Sequence, residues 1–156
     1  MLNKMLPDQI SRFWDQIKYA VEQSLPPISS DHPDRINRVL AAALGGTVDV
    51  WASYTREEEK IKFEGIILTK ILYDDVSDTR NLLIYCVYGY VPISKESWLE
   101  GLVALTKYAR SENCLQIIAY TNVPFIVDKA KYLGAECVWN FISFSVDKLM
   151  QSYQTE

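Results

Sequence analysis

Apolar positions recur along this chain with two periods, and the change from one to the other divides it. Over residues 7–24, Ile10, Phe13, Trp14, Ile17 and Val21 fall three or four apart, which predicts a helix with one apolar face. Pro7 suits its first position, Asp8 favours its positive end, and Leu25-Pro26-Pro27 stops it. A second helix is predicted over 33–44, opened by Pro33, striped by Ile36, Val39, Leu40 and Ala43, and closed by Gly45-Gly46.

Period two follows. Val48, Val50, Ala52 and Tyr54 alternate with Thr47, Asp49, Trp51 and Ser53. The charged run Arg56–Glu59 reads as a hairpin turn, residues 61–72 as a long strand, Asp74–Asp78 as a second turn, and residues 81–90 as a third strand. Short turns between strands require an antiparallel meander.

A helix over 95–110 comes next, with Ser94 as N-cap and Trp98, Leu102, Leu105 and Ala109 as its stripe. Strand 115–120 lies beyond that crossover, so it should run parallel to strand 81–90. A short helix over about 124–133, Gly134, and a final strand over 137–146 complete the pattern, leaving a polar, frayed tail at 147–156. These elements predict one α/β domain with a mixed sheet (α+β), its core spanning about 8–146.

Composition narrows the function classes. The chain has 156 residues, the length of about one domain, and 49% of them are hydrophobic. Ten Tyr and four Trp suit either a binding surface or a well-filled core. A net charge of −4, with no Lys/Arg cluster, argues against nucleic-acid binding. Cys86, Cys114 and Cys137 are widely spaced and odd in number, which argues against a disulfide framework. The opening residues carry no signal-peptide pattern and no apolar run has membrane-spanning length, so a cytoplasmic protein without membrane contact is expected.

The element order is the topology of the GNAT superfamily of acetyl-CoA-dependent N-acyltransferases, lacking only an obvious first strand. The C-terminal half resembles that family most closely. Leu102, Leu105, Ala109 and Cys114, followed by Leu115-Gln116-Ile117-Ile118, are similar to its helix and fifth strand. Asn122 follows that strand, as an Asn often does in the family, and Tyr132-Leu133-Gly134-Ala135 looks like its lysine-leucine-glycine-phenylalanine stretch. The chain is also similar to small GNAT-like proteins of phage genomes.

The resemblance implies acetyl-CoA as cofactor and an amine-bearing small molecule or protein as partner. It implies that strands 81–90 and 115–120 splay apart, with the pantetheine arm between them. Backbone N–H groups around Val87 and Tyr88 would then hold the thioester carbonyl. It places the family's Arg-Gly-x-Gly-x-Gly on Ile93-Ser94-Lys95-Glu96-Ser97-Trp98, where no glycine stands. Ser94, Lys95, Glu96 and Ser97 thus become the pyrophosphate positions, with Asn122 beyond the fifth strand. The family's leaving-group Tyr falls on Ala130, and Tyr132 is turned about 200° away on a helix. This degenerate loop keeps a second reading open: a GNAT-like binding or accessory protein without catalysis.

Several residues carry two readings. Glu64, within the long strand, is either a cleft-facing general base or a surface carboxylate paired with Lys62 or Lys70. Tyr88, Tyr90 and Tyr120 line an acceptor cleft or pack in a core, with Cys86, Tyr88 and Tyr90 on one strand face and Tyr85 and Val87 on the other. Glu64, Tyr88 and Tyr120 are the candidate catalytic residues. Gly89 is a candidate for a bulge that parts the strands. Asp74, Asp75 and Asp78 suit a cation site or a solvated turn. His32, the single histidine, suits capping better than catalysis, and no zinc site of ordinary spacing can be written. A homodimer built by pairing the final strands is compatible with either functional reading.

Overall fold

The computed structural model describes residues 1–154. The chain divides into two compact units, Met1–Thr121 and the residues from Asn122 onward.

The first unit is a five-stranded sheet in the order β1-β2-β3-β4-β5, comprising β1 (Leu2–Lys4), β2 (Asp49–Glu57), β3 (Lys60–Asp74), β4 (Thr79–Gly89) and β5 (Gln116–Ala119). The first four strands run antiparallel and β5 joins β4 in parallel, as the pattern predicts. β1 is too short to show a period. Its pairing with β2, Leu2 opposite Ser53 and Lys4 opposite Trp51, is decided by the partner strand.

The β2–β3 turn is tighter than the charged run suggests. Glu57 pairs with Lys60, and Glu58 and Glu59 both take positive φ (47° and 68°), the backbone of a two-residue hairpin loop. In the β3–β4 turn, the Asp74 carboxylate accepts the Val76 N–H at 3.1 Å and the Ser77 hydroxyl at 2.5 Å. Asp78 accepts the Tyr73 hydroxyl at 2.7 Å. These carboxylates are thereby occupied in shaping the turn, and no cluster able to hold a metal occurs among the described residues.

The helix predicted over 7–24 is broken at Phe13 into α1 (Pro7–Arg12) and α2 (Trp14–Ser24). Phe13 leaves helical geometry (φ −107°, ψ 21°), and its ring stands edge-on to Phe63 of β3 at 5.1 Å. Periodicity alone carried no sign of this tertiary contact. α3 is Arg35–Leu44, beginning two residues later than predicted; His32 Nδ1 accepts the Asp34 N–H at 3.1 Å just ahead of it.

The sheet is covered on both faces. On one, Ile10, Ile17, Val21 and Val39 of α1–α3 pack on Val50, Ala52, Ile66, Leu68 and Cys86. On the other, α4 (Lys95–Ser111) sets Leu105 and Ala109 against Trp51 and Leu82. Polar ties fasten this second face. Trp51 Nε1 donates to Thr69 Oγ1 at 2.9 Å, and Asp49 accepts the Tyr108 hydroxyl at 2.5 Å and Lys4 Nζ at 3.0 Å.

The second unit contains α5 (Pro124–Tyr132), Gly134 at φ +98°, and α6 (Val146–Gln154). Two expectations are corrected here. Residues 137–145 form no strand, and Trp139, Ile142 and Phe144 are 92%, 76% and 72% exposed. Alternation makes a strand only where a neighbouring edge completes the ladder, and this segment pairs with none. The dimer built by pairing final strands therefore has no strand to use. The tail expected to fray is instead α6 through Gln154, opened by Ser145, whose hydroxyl accepts the Lys148 N–H at 3.4 Å.

Candidate functional site

The candidate site is the stretch of β4 that runs on past the end of β5, leaving a gap along that edge. β5 pairs with β4 only from Asn81 opposite Gln116 to Ile84 opposite Ala119. One residue later, β4 is bulged against β3: Leu68 pairs with Cys86 and Thr69 with Ile84, leaving Tyr85 as the extra residue. The bulge is thus at Tyr85, not at Gly89 as the glycine suggested. A bulge bends its strand and increases its twist, and β5 ends at Ala119, so Tyr85–Gly89 of β4 run on past it without a β5 partner.

The bulge also decides which backbone groups face the gap. Arg80 C=O accepts the Leu115 N–H at 2.8 Å, so Arg80, and by alternation Leu82 and Ile84, face β5. Beyond the bulge, the Tyr90 N–H donates to Glu64 C=O of β3 at 2.9 Å. Stepping back by two, Tyr88 and Cys86 also turn their backbones to β3, opposite Ile66 and Leu68. Val87 and Gly89 are left facing the gap. Of the two amides singled out from the sequence, Val87 is the one directed there, and the Tyr88 amide is taken by the β3 ladder.

The side chains sort by face. Tyr88 and Tyr90 join the aromatic core beneath α1 and α2, with rings edge-on at 5.1 Å. Tyr88 also meets Tyr19 at 5.7 Å, and the Tyr90 hydroxyl donates to the Gln16 carbonyl. The Tyr19 hydrogen bond and desolvation raise the Tyr88 phenol above its usual value, and burial pushes Tyr90 up to about 12. At neutral pH these phenols are proton donors. Tyr85 packs on this same face beside Cys86, because the bulge interrupts alternation between them. Burial pushes the Cys86 thiol up to about 11.

Glu64 lies on the opposite face. It is the extra residue of a second bulge, since Ser53 pairs with Gly65 and Tyr54 with Phe63. Its Oε2 accepts the Ser53 hydroxyl at 3.1 Å. Ser53 follows Trp51 by two in β2 and so shares the α4 face, and Glu64 with it. Glu64 and Tyr88 are therefore not brought together. Tyr120 follows β5 and is exposed. Asn122 opens the second unit, and Tyr132 is exposed on α5.

A loop leads from β4 into α4. Ser94 caps the helix, its Oγ accepting the Ser97 N–H at 3.1 Å, and Lys95 and Glu96 follow in the first turn. Ile93, which stands where the resemblance sets the family's Arg, packs on the sheet instead. Its Cδ1 lies 3.2 Å from where a Cβ would stand on both Gly65 and Gly89, which are paired across β3 and β4. Paired glycines beneath an aliphatic residue were a legible signal, but only once the register was known.

No protein-family model matches the chain, and no curated protein matches it in sequence. Solved structures do match. A predicted acetyltransferase from Clostridium acetobutylicum, solved with acetyl-CoA, superposes with TM-score 0.67 at 14% identity, over 95% of this chain and 98% of that one. A ribosomal-protein-alanine N-acetyltransferase from Brucella melitensis gives TM-score 0.61 at 10% identity, over 93% and 99%. The aminoglycoside N-acetyltransferase AAC(6')-Iy in complex with CoA gives 0.63 at 10% identity, over 93% and 98%. The chain thus has the GNAT acyl-CoA N-acyltransferase fold, a mixed α/β sheet with an antiparallel meander and one parallel pair. No helix among the described residues is long and apolar enough to cross a membrane.

Proposed function

We propose that this chain is an N-acyltransferase that takes an acetyl group from acetyl-CoA and transfers it to an amine on a small molecule or a protein. The observation that supports this reading is that β4 continues past the end of β5 after the Tyr85 bulge, with the Val87 backbone on the edge left without a strand partner. Acetyl-CoA, when bound, supplies an acyl group activated as a thioester. The residues at the gap fit that end of the molecule: a directed N–H on a rigid strand stabilises an oxygen on which negative charge grows. The β3 ladder holds Val87 from behind, so little reorganisation is needed.

Glu64 is a half-buried carboxylate on β3, and its partner is a hydroxyl rather than a cation. A carboxylate so placed takes a proton from an incoming ammonium, directly or through water. The Tyr88 ring is packed against Tyr19 and Tyr90 on the other face of the sheet, so the corresponding donor to the departing thiolate is the hydroxyl of Tyr120, exposed just beyond β5.

A binding or accessory protein without catalysis is the second reading, favoured by one observation: the loop into α4 holds no glycine and sets Glu96 in the first turn. Thermal unfolding with millimolar acetyl-CoA, followed by a thiol-release assay over a panel of amines, separates the two. Saturation at about a hundred times the dissociation constant adds roughly 2.7 kcal/mol, a shift of several degrees. A shift with thiol release supports the enzyme. A shift without release from any amine favours the binding protein, and no shift removes acetyl-CoA from both.

A further inference from the structure

Two backbone amides flanking the turn from β4 into α4, those of Tyr90 and Ser97, are taken by the chain itself. The Tyr90 N–H is held by Glu64 C=O at 2.9 Å and its hydroxyl by the Gln16 carbonyl. Ile93 is seated over Gly65 and Gly89, and Ser94 Oγ takes the Ser97 amide at 3.1 Å. A loop that wraps a diphosphate needs the opposite: amides pointing outward, and backbone free of Cβ atoms where the anion approaches. Between Gly89 and Gly101 no glycine is present. Lys95 and Glu96 carry opposite charges in the same turn, so this helix end presents no net positive charge beyond its dipole.

The gap between β4 and β5 is different. The Val87 and Gly89 backbones face it beyond the last β4–β5 pair, and a ligand bearing amides can use them as a strand would. A pantetheine arm carries two amides; the nucleotide diphosphate carries charge and no such match.

We propose that this chain recognises its acyl donor through the pantetheine arm, with the nucleotide diphosphate adding little, so that acetyl-pantetheine serves nearly as well as acetyl-CoA. This rests on the acyltransferase reading above and specifies its donor.

Titration calorimetry of the full chain with each donor, without acceptor and at two salt concentrations, tests it. Acetyl-pantetheine should bind within about threefold of acetyl-CoA, and salt should alter the ratio little. Glu96→Gln, an exposed change that leaves the Ser94 cap in place, should alter the affinity for either donor by less than about threefold. Acetyl-CoA binding more than about tenfold tighter, in a salt-dependent way, overturns the inference while the acyltransferase reading stands. A Glu96→Gln chain that binds acetyl-CoA more than about tenfold tighter than the unsubstituted chain also overturns it, because the diphosphate is then held at this helix end. Binding of neither donor overturns both.

Discussion

Gly65→Ala tests the packing that shapes the loop beside the gap. The new Cβ would stand 3.2 Å from Ile93 Cδ1 and 3.3 Å from the Tyr88 carbonyl oxygen. Both contacts are tight. The Ile93 side chain can rotate away, but the carbonyl belongs to the β3–β4 ladder and cannot. Replacing Gly by Ala in a strand recovers about 0.5–1 kcal/mol through the unfolded state. Overpacking costs about 1–3 kcal/mol, so a net loss of about 1 kcal/mol is expected. For a chain of this length that lowers Tm by about 2–4 °C. Ile93→Ala removes one of the two obstacles. A double-mutant cycle measured by urea unfolding should therefore give a coupling of at least about 0.5 kcal/mol, with the second substitution costing less once the first is made. Additivity within about 0.3 kcal/mol, or a higher Tm for Gly65→Ala, would refute the placement of Ile93 over this glycine pair.

Other expectations follow from the same structure. Leu105→Ala, at a side chain 1% exposed between α4 and the sheet, should lose about 2–5 kcal/mol in urea unfolding; a loss below about 1 kcal/mol would contradict that packing. In the native protein a thiol reagent followed by mass spectrometry should label exposed Cys137 first and Cys86 last, because Cys86 is buried and its thiol is pushed up to about 11. Rapid labelling of Cys86 would place it elsewhere. Tyr90, raised by burial to about 12, binds its proton more tightly folded than unfolded. Its contribution is whole below the ordinary tyrosine value near 10 and is lost as pH rises toward about 12. Tyr90→Phe should flatten this alkaline loss while costing about 1 kcal/mol at neutral pH through the missing bond to Gln16; an unchanged alkaline slope would refute the assignment.

The meander, the crossover helix with its Ser94 cap, and the parallel fifth strand were legible in the sequence, because each depends on a local period or a local signal. Val48, Val50, Ala52 and Tyr54, alternating with Thr47, Asp49, Trp51 and Ser53, already announced a strand, and the structure buries Val50, Trp51 and Ala52 together. Ser94 with Ser97 three residues on, and a turn of acidic residues between two apolar runs, likewise act within a few residues of themselves.

The features that make a site lie beyond that reach. Tyr85 became the bulge, rather than Gly89, because the register of β3 against β4 placed it there. That shift selected Val87 over Tyr88 to face the gap and put Tyr85 and Cys86 on one face. Glu64 was sent to the face away from Tyr88 by another bulge, set by Ser53 and Tyr54 of the neighbouring strand. Phe13 broke a helix of good periodicity to meet Phe63, fifty residues later. Conversely, residues 137–145 alternate like a strand and remain irregular, because alternation needs an edge to pair with. Period and turn chemistry are properties of short stretches, so the sequence by itself determined the elements and their order. Register, bulges and the extent of pairing depend on a second strand distant in the chain, so only the tertiary structure decided where β4 runs on unpartnered by β5 and which amide faces that edge.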